Sequence, residues 1–268
     1  KAPATQANMV TLRDRGVHVV GPGSGYLACG DVDTGRMSEP EDIVETVCEV
    51  LNPVPQDLAG KRIVITAGPT HEPIDPVRYI GNRSSGKMGI ALAGEAARRG
   101  AAVTLVLGPT SLDVPRGVEC VRVQTAPEML QAALGAFQTA DAAICAAAVA
   151  DYTPAAPADH KLKKANERLD RIELIETVDI LAELSRQKGE RCVIGFAAET
   201  DNVVEYAQRK LARKGCDAII ANDVSRADSG FGTDTNKAWI VSTAGTQELP
   251  VLTKPQLADT ILDLLQNL

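Results

Sequence analysis

From about residue 60 onward, short runs dense in Val, Ile, Leu and Ala alternate with longer stretches whose apolar residues recur every three or four positions. "RIVITAG" (62–68), "AAVTLVLG" (101–108), "ECVRVQT" (119–125), "AAICAAAV" (142–149), "CVIGFAAE" (192–199) and "DAIIAND" (217–223) predict strands. Such nearly continuous apolar runs suit a parallel sheet covered on both faces. Between them, "GIALAGEAARRG", "APEMLQAALGAFQTA", "VDILAELSRQ" and "NVVEYAQRKLARKG" carry helical spacing, several closing on basic residues and then Gly, as helix C-termini do. "KAWIVST" and "TQELPVL" predict a late hairpin, and "KPQLADTILDLLQNL" a closing helix. The alternation predicts an α/β fold: a doubly wound, mostly parallel sheet that binds ligands at the carboxyl ends of its strands.

Two segments break the pattern. Residues 1–57 form a separate small α/β piece: a short helix, a "VHVVGP" strand (17–22), the Gly-rich loop "GPGSGYLACGDVDTGRM", and a helix ending before "NPVPQ". Pro53 and Pro55 mark a linker, and the main domain runs from 58 to 268. The second segment, "TPAAPADHKLKKANERLD" (153–170), is rich in Ala, Pro and charge. An insertion of that length in a compact domain is functional or disordered.

Composition narrows the classes. With 268 residues, 44% apolar and 24% charged, the chain is an ordinary soluble protein with room for a full core. Aromatics at 3% disfavour base stacking, and a formal charge of −7 argues against a nucleic-acid or membrane partner while leaving room for a local basic pocket. No apolar run approaches the ~20 residues of a membrane span, and no signal peptide is recognisable, so a cytoplasmic location is expected. Six scattered cysteines without a CxxC pair read as buried thiols in a reducing compartment, and His18, His71 and His160 form no metal pattern.

Several motifs invite chemistry. "GNRSSGKMG" (81–89) approaches the P-loop pattern, but Met88 replaces the Mg²⁺-binding hydroxyl and the preceding strand ends well before Gly81. What is left is a polar turn opening a helix near residue 87, where Asn82, Ser84, Ser85 and backbone amides can face an anion. "ITAGPTHEPIDPVRYIGN" has three prolines where a dinucleotide site needs glycines. Tyr206 and Lys210 share a helical face in the spacing of short-chain dehydrogenases. The same face carries Lys214 one turn on, so it reads as a basic surface as well. Lys161, Lys163 and Lys164 in "HKLKK" are either a solvated run or a lysine-rich lid over a polyanion. Asp151, ending the run "AAICAAAVAD", sits where open sheets place ligand-reading side chains, or is a turn residue.

Taken in order, "ITAGPT-x-EP-x-DPVRYI-x-N-x-SSGKMG", "AAVADY", "K-x-KK", "GFAAET" and "AND" closely resemble the phosphopantothenate–cysteine ligase domain of the bifunctional coenzyme A biosynthesis flavoprotein. The resemblance implies a Rossmann-like sheet with a flexible lysine-rich lid. It also implies a reaction in which CTP, with Mg²⁺ on its triphosphate, activates the carboxylate of 4′-phosphopantothenate as an acyl-cytidylate, releasing pyrophosphate. Cysteine then attacks, giving the amide and CMP. By motif, Gly81, Asn82, Ser84, Ser85, Gly86 and Lys87 would bind substrate, with Asn82 at the acyl-cytidylate. Asp151 would read cytosine, and Cys145, Ala146, Ala147 and Phe196 would frame the nucleotide. Backbone of Val178, Asp179, Ile180 and Leu181 would also touch it, Lys210 and Lys214 would hold the triphosphate, and Lys161 would act after the intermediate forms.

Two departures stand out. Thr177-Val178 replaces the family's usual Asn-Pro before Asp179. Residues 1–37 resemble only the tail of the flavin-dependent decarboxylase, whose proton donor Cys29 matches, but Asp33 replaces a usual glycine. Its FMN is accordingly not expected to bind here, and decarboxylase activity is expected to be absent. The resemblance further implies a homodimer through the ligase domain and small molecules as the other partners. An NAD(P)-dependent short-chain oxidoreductase is the alternative enzyme class, and a non-enzymatic nucleotide sensor a third reading.

Overall fold

The structure is a computed structural model. It describes residues 2–26, 32–51, 53–163 and 170–268. Two compact units are present, Lys1–Pro55 and Gln56–Leu268.

The first unit contains α1 (Pro3–Asp14), β1 (Gly23–Tyr26), β2 (Val32–Arg36) and α2 (Pro40–Leu51). β1 and β2 form an antiparallel hairpin. The strand expected at 17–22 is not one: Val17–Val20 lies outside any ladder, and pairing begins inside the stretch expected to be loop. β-branched residues make a strand only where a neighbour completes its hydrogen bonds, and here the hairpin partner lies further along the chain. Outside 26, 32–34, 45 and 49, none of the described residues of this unit is buried.

The second unit follows the predicted alternation. In chain order it contains β3 (Arg62–Ala67), β4 (His71–Pro73), β5 (Tyr79–Gly81), α3 (Lys87–Arg98), β6 (Ala102–Leu107), β7 (Glu119–Arg122) and α4 (Ala126–Phe137). After these come β8 (Ala142–Cys145), β9 (Tyr152–Pro154), β10 (Leu174–Glu176), α5 (Ile180–Arg186), β11 (Cys192–Glu199) and α6 (Val203–Lys214). β12 (Ala218–Asp223), β13 (Thr235–Ser242), β14 (Gly245–Thr253) and α7 (Lys254–Asn267) close the chain. The eight-stranded sheet runs β14-β13-β12-β11-β8-β3-β6-β7. From β7 to β12 all neighbours are parallel, whereas β13 and β14 add an antiparallel hairpin at one edge. Chain order therefore reverses between β3 and β8, the switch point where open α/β sheets bind ligands.

Alternation along each strand splits the core. Ile63 and Ile65 of β3 join Leu92 of α3 and Leu257 and Ile261 of α7 on one face. Val64 joins Met129 and Phe137 of α4, Leu184 of α5 and Ala207 of α6 on the other. Capping boxes Thr125/Glu128 and Thr253/Gln256 start α4 and α7. Arg99, nearly buried, binds Asp57, Asp259 and Asp263, fixing the start of the unit to its last helix. No helix among the described residues is long and apolar enough to cross a membrane.

Three local expectations change. β8 ends at Cys145 instead of reaching Val149, although Ala146 N and Ala148 N still donate to Thr66 O (3.1 Å) and Gly68 O (2.9 Å), and an isolated parallel bridge joins Pro69 to Ala148. The proline-rich stretch after β3 is not all loop, since β4 and β5 pair across it. The lysine-rich insertion is rooted on a ribbon of β9 and β10. Beside that ribbon, the buried Asp75 accepts from Leu162 N (3.2 Å) while Arg78 donates to Leu162 O (3.1 Å). Lys164 lies outside the described residues.

Candidate functional site

A cleft of about 1150 Å³ opens at the carboxyl ends of β3, β8, β11 and β12. Its floor is the strand-to-helix junction that the near-P-loop motif left unexplained. β3 ends at Ala67 and α3 begins at Lys87, yet a Cβ on Gly86 would lie 3.3 Å from Gly68 Cα. The β4–β5 excursion thus leaves and returns to one point. Gly86 sits at φ 83°, a left-handed conformation suited to glycine, and a Cβ on Gly89 would come within 2.3 Å of Ala67 Cβ. Strand, tight turn and close helix packing are assembled in space from Gly68, Gly86 and Gly89, glycines that are scattered in sequence. α3 has no side-chain N-cap and no acidic residue in its first turn, so its positive end is left for an anion.

Around that floor, Asn82 Nδ2 donates to Ala148 O and Val149 O, both at 3.1 Å. The side chain expected at an acyl-cytidylate thus already braces the helix-start loop against the loop after β8. Donation to a ligand oxygen requires exchange of those bonds. Ser84 Oγ accepts from Gly86 N (3.3 Å), Ser85 O accepts from Thr110 Oγ1 (2.9 Å), and Lys87 Nζ donates to Asp234 Oδ1 (2.7 Å) and Gly232 O (2.8 Å). Opposite, Ala147 N donates to Thr66 Oγ1 (3.3 Å), holding the Cys145–Ala147 backbone at the rim. Burial pushes the Cys145 thiol up to about 12, which removes it as a nucleophile near neutral pH.

Asp151, Val178, Asp179, Ile180, Leu181 and Phe196 also line the cleft. Thr177, which stands where the family usually has Asn, donates from N to Asp151 O (2.9 Å) and from Oγ1 to Ala150 O (2.5 Å), while Val178 takes the place of the proline. The segment leading into α5 is thus anchored through Thr177, one residue before the position where the family has proline. Asp179 caps α5 by accepting from Ala182 N (3.0 Å) and pairs with Lys214. Lys210 Nζ donates to Phe196 O (2.7 Å), and burial pulls its pKa down, partly offset by the charges of Glu199 and Asp151. Lys210 and Lys214 thus face the cleft rather than forming a solvated helix surface.

Two expected residues are not brought together with the rest. Gly81 ends β5 and Lys161 is exposed on the insertion, and neither lines the cleft. Gly81 has a packing role, since a Cβ there would meet Thr70 O at 2.8 Å. Lys161 sits one residue before the clamped Leu162, outside the cavity wall. Cys29 lies outside the described residues. In the other direction, Asn222, Asn236 and Lys254 line the cleft and were not anticipated. Lys254 opens α7 at a position where a lysine ordinarily faces water, so nothing local announced it.

Among the described residues, no three His, Cys, Asp or Glu side chains converge as a metal site.

Comparison with known proteins agrees with this geometry. Residues 58–268 match the family model described as the DNA/pantothenate metabolism flavoprotein C-terminal domain, and residues 1–52 match the flavoprotein family. The chain is 46% identical over 263 residues to the coenzyme A biosynthesis bifunctional protein CoaBC of Bacillus subtilis, covering 97% of this chain and 64% of that protein. It is 47% identical over 266 residues to the Escherichia coli protein of the same name, covering 98% and 65%. The chain thus spans somewhat under two thirds of each relative. The crystal structure of a CoaBC C-terminal domain superposes with a TM-score of 0.66 at 45% identity, over 78% of this chain and 95% of that one. With most of its length matched and its sheet reproduced, the chain belongs to the family of the DNA/pantothenate metabolism flavoprotein C-terminal domain.

Proposed function

We propose that residues 58–268 ligate cysteine to 4′-phosphopantothenate at the expense of CTP, through an acyl-cytidylate, in coenzyme A biosynthesis. The observation that carries this reading is the cleft itself. It has an uncapped helix start at one end, the α6 lysines at the other, and the backbone of the β8 loop between them. The names of the relatives supply the pathway, and the resemblance in motif supplies the nucleotide.

Chemically, a carboxylate is a poor acyl donor, and the α-phosphate of CTP converts it to a mixed anhydride as pyrophosphate leaves. Mg²⁺ enters as the counter-ion of the triphosphate, hence as part of a substrate. Lys210 and Lys214 offset the charge that accumulates on the departing pyrophosphate. For Lys214 this means exchanging Asp179 for a phosphate oxygen. Asp151 accepts from the exocyclic amine of cytosine, beside the Cys145–Ala147 backbone and Phe196, while the backbone at Val178–Leu181 encloses the nucleotide. Asn82 fixes the β8 loop and, on rearranging, donates to the intermediate. Most of the acceleration then comes from positioning. Lys161 acts in the second half-reaction only if the insertion closes over the cleft.

Residues 1–57 are assigned as the carboxyl-terminal part of a flavin-dependent decarboxylase plus linker, for which FMN supplies the redox chemistry when bound. A homodimer of the ligase unit is the expected assembly, to be checked by light scattering. The oxidoreductase alternative loses its support, because the chain belongs to a different family.

The test is pyrophosphate release dependent on 4′-phosphopantothenate, CTP and Mg²⁺, with mass-spectrometric detection of the acyl-cytidylate before cysteine is added. Absence of both products in the folded protein refutes the reading.

A further inference from the structure

Lys254 is 6% exposed and lines the cleft. Its ammonium donates to Asn236 Oδ1 (2.5 Å) and Gly230 O (3.3 Å), both uncharged. Asp234, the carboxylate that offsets it, makes its ion pair with Lys87 at 2.7 Å. Lys87 and Lys254 are close enough to repel, so two cations share one exposed carboxylate. A buried cation without a matching anion is costly and is rarely kept without use. α7 lends this place only a side chain: its first amides are taken by the Thr253/Gln256 box, Pro255 has none, and Lys254 N donates to Asp234 O (3.0 Å). α3 lends its uncapped amides, and Lys87, Met88 and Gly89 line the same cleft.

We propose that Lys254 is a phosphate-binding residue, which with Lys87 and the start of α3 holds a substrate phosphate at the end of the cleft remote in sequence from the α6 lysines. This rests on the ligase reading. A phosphate dianion supplies the charge the two lysines lack and accepts from amides and ammonium groups together, which a carboxylate does less fully. Two phosphates are present in the reaction, the ester of the acid substrate and the triphosphate of CTP. The α6 end already offers Arg209, Lys210, Arg213 and Lys214 for a triphosphate, so the ester is the expected occupant.

The experiment compares wild type, Lys254→Met and Lys254→Arg in the pyrophosphate assay, using 4′-phosphopantothenate and its dephosphorylated form, with melting curves for each variant. In Lys254→Met the KM for 4′-phosphopantothenate should rise at least tenfold and the preference for the phosphorylated acid should collapse. The KM for CTP should stay within twofold, and Lys254→Arg should recover most of the preference. A rise in the CTP KM instead assigns the same residue to the triphosphate. If Lys254→Met does not fold, Lys254→Gln, which removes the charge but keeps a donor for Asn236 and Gly230, decides: a raised KM for 4′-phosphopantothenate and lost phosphate preference with a native melting curve support the proposal, and an unchanged preference with both KM values unchanged overturns it. Folded Lys254→Met with both KM values and the preference unmoved overturns it. A wild-type protein that releases no pyrophosphate refutes the ligase reading, a distinct result.

Discussion

At the α6 end of the cleft, cations are numerous and tied to protein oxygens: Lys210 to Phe196 O, Lys214 to Asp179. At the α3 end they are few and likewise bonded to protein oxygens, Lys87 to Asp234 and Lys254 to Asn236, but Lys254 is nearly buried and the helix start beside them is uncapped. The larger set of cations at the α6 end matches the larger charge of the proposed triphosphate. An end built on glycine contacts and a buried ammonium suits a group held unchanged through both half-reactions. Number of charges and tightness of packing are thus divided between two helices of one pocket.

The contrast can be broken most severely at its floor. Gly89→Val forces a side chain into Ala67, and we expect loss of folded protein or a fall in stability of about 3 kcal/mol or more, read by denaturant melting. Next is Asn82→Asp, which places a carboxylate against two carbonyls. Amide formation should fall on the order of a hundredfold, consistent with about 2–3 kcal/mol for an unsatisfied polar contact, while the variant stays folded by circular dichroism. Unchanged turnover would remove Asn82 from the site. Lys210→Ala should then separate the two ends, raising the KM for CTP roughly tenfold, as loss of one charge-assisted contact does, with the KM for 4′-phosphopantothenate nearly constant.

Smaller effects sharpen the picture. Thr177→Val deletes one anchor of the nucleotide-side loop and should cost about 1 kcal/mol, seen as a few-fold higher KM for CTP. Smallest is a pH effect. Burial, with repulsion from Lys87 adding to it, pulls Lys254 down to about 8. Between that value and the ordinary lysine value of about 10.4, the unfolded chain binds more protons than the folded one, so this group makes stability rise with pH across the window. Below the folded value the slope vanishes. Melting temperatures at pH 7.5 and pH 9.5 should therefore differ between wild type and Lys254→Met in that sense, and parallel profiles would contradict it.

Most of the second unit was legible along the chain. Apolar runs located the six parallel strands, and the late hairpin and closing helix fell where turn and helix patterns placed them. The first unit was less so, because 17–22 has strand composition without a ladder partner. The candidate site residues divided in the same way. Asn82, Asp151, Phe196, Lys210 and Lys214 were found through motif order and do line one cleft. Lys161 was found in the same manner but lies off the cavity wall, since a residue on a long insertion is not positioned by the sheet.

Sequence by itself determined which segments become strands and helices, since period and apolar content act over a few neighbouring residues, and it determined the family through the order of short motifs. Only the tertiary structure decided that Gly68, Gly86 and Gly89 meet where β3 and α3 pack together, that Thr177 anchors to the backbone of Ala150 and Asp151, and that Lys254 is drawn into the cleft beside Lys87. Each of those depends on contacts between residues far apart along the chain. Their distances are set by how α3, α7 and the strands pack, which no local pattern encodes.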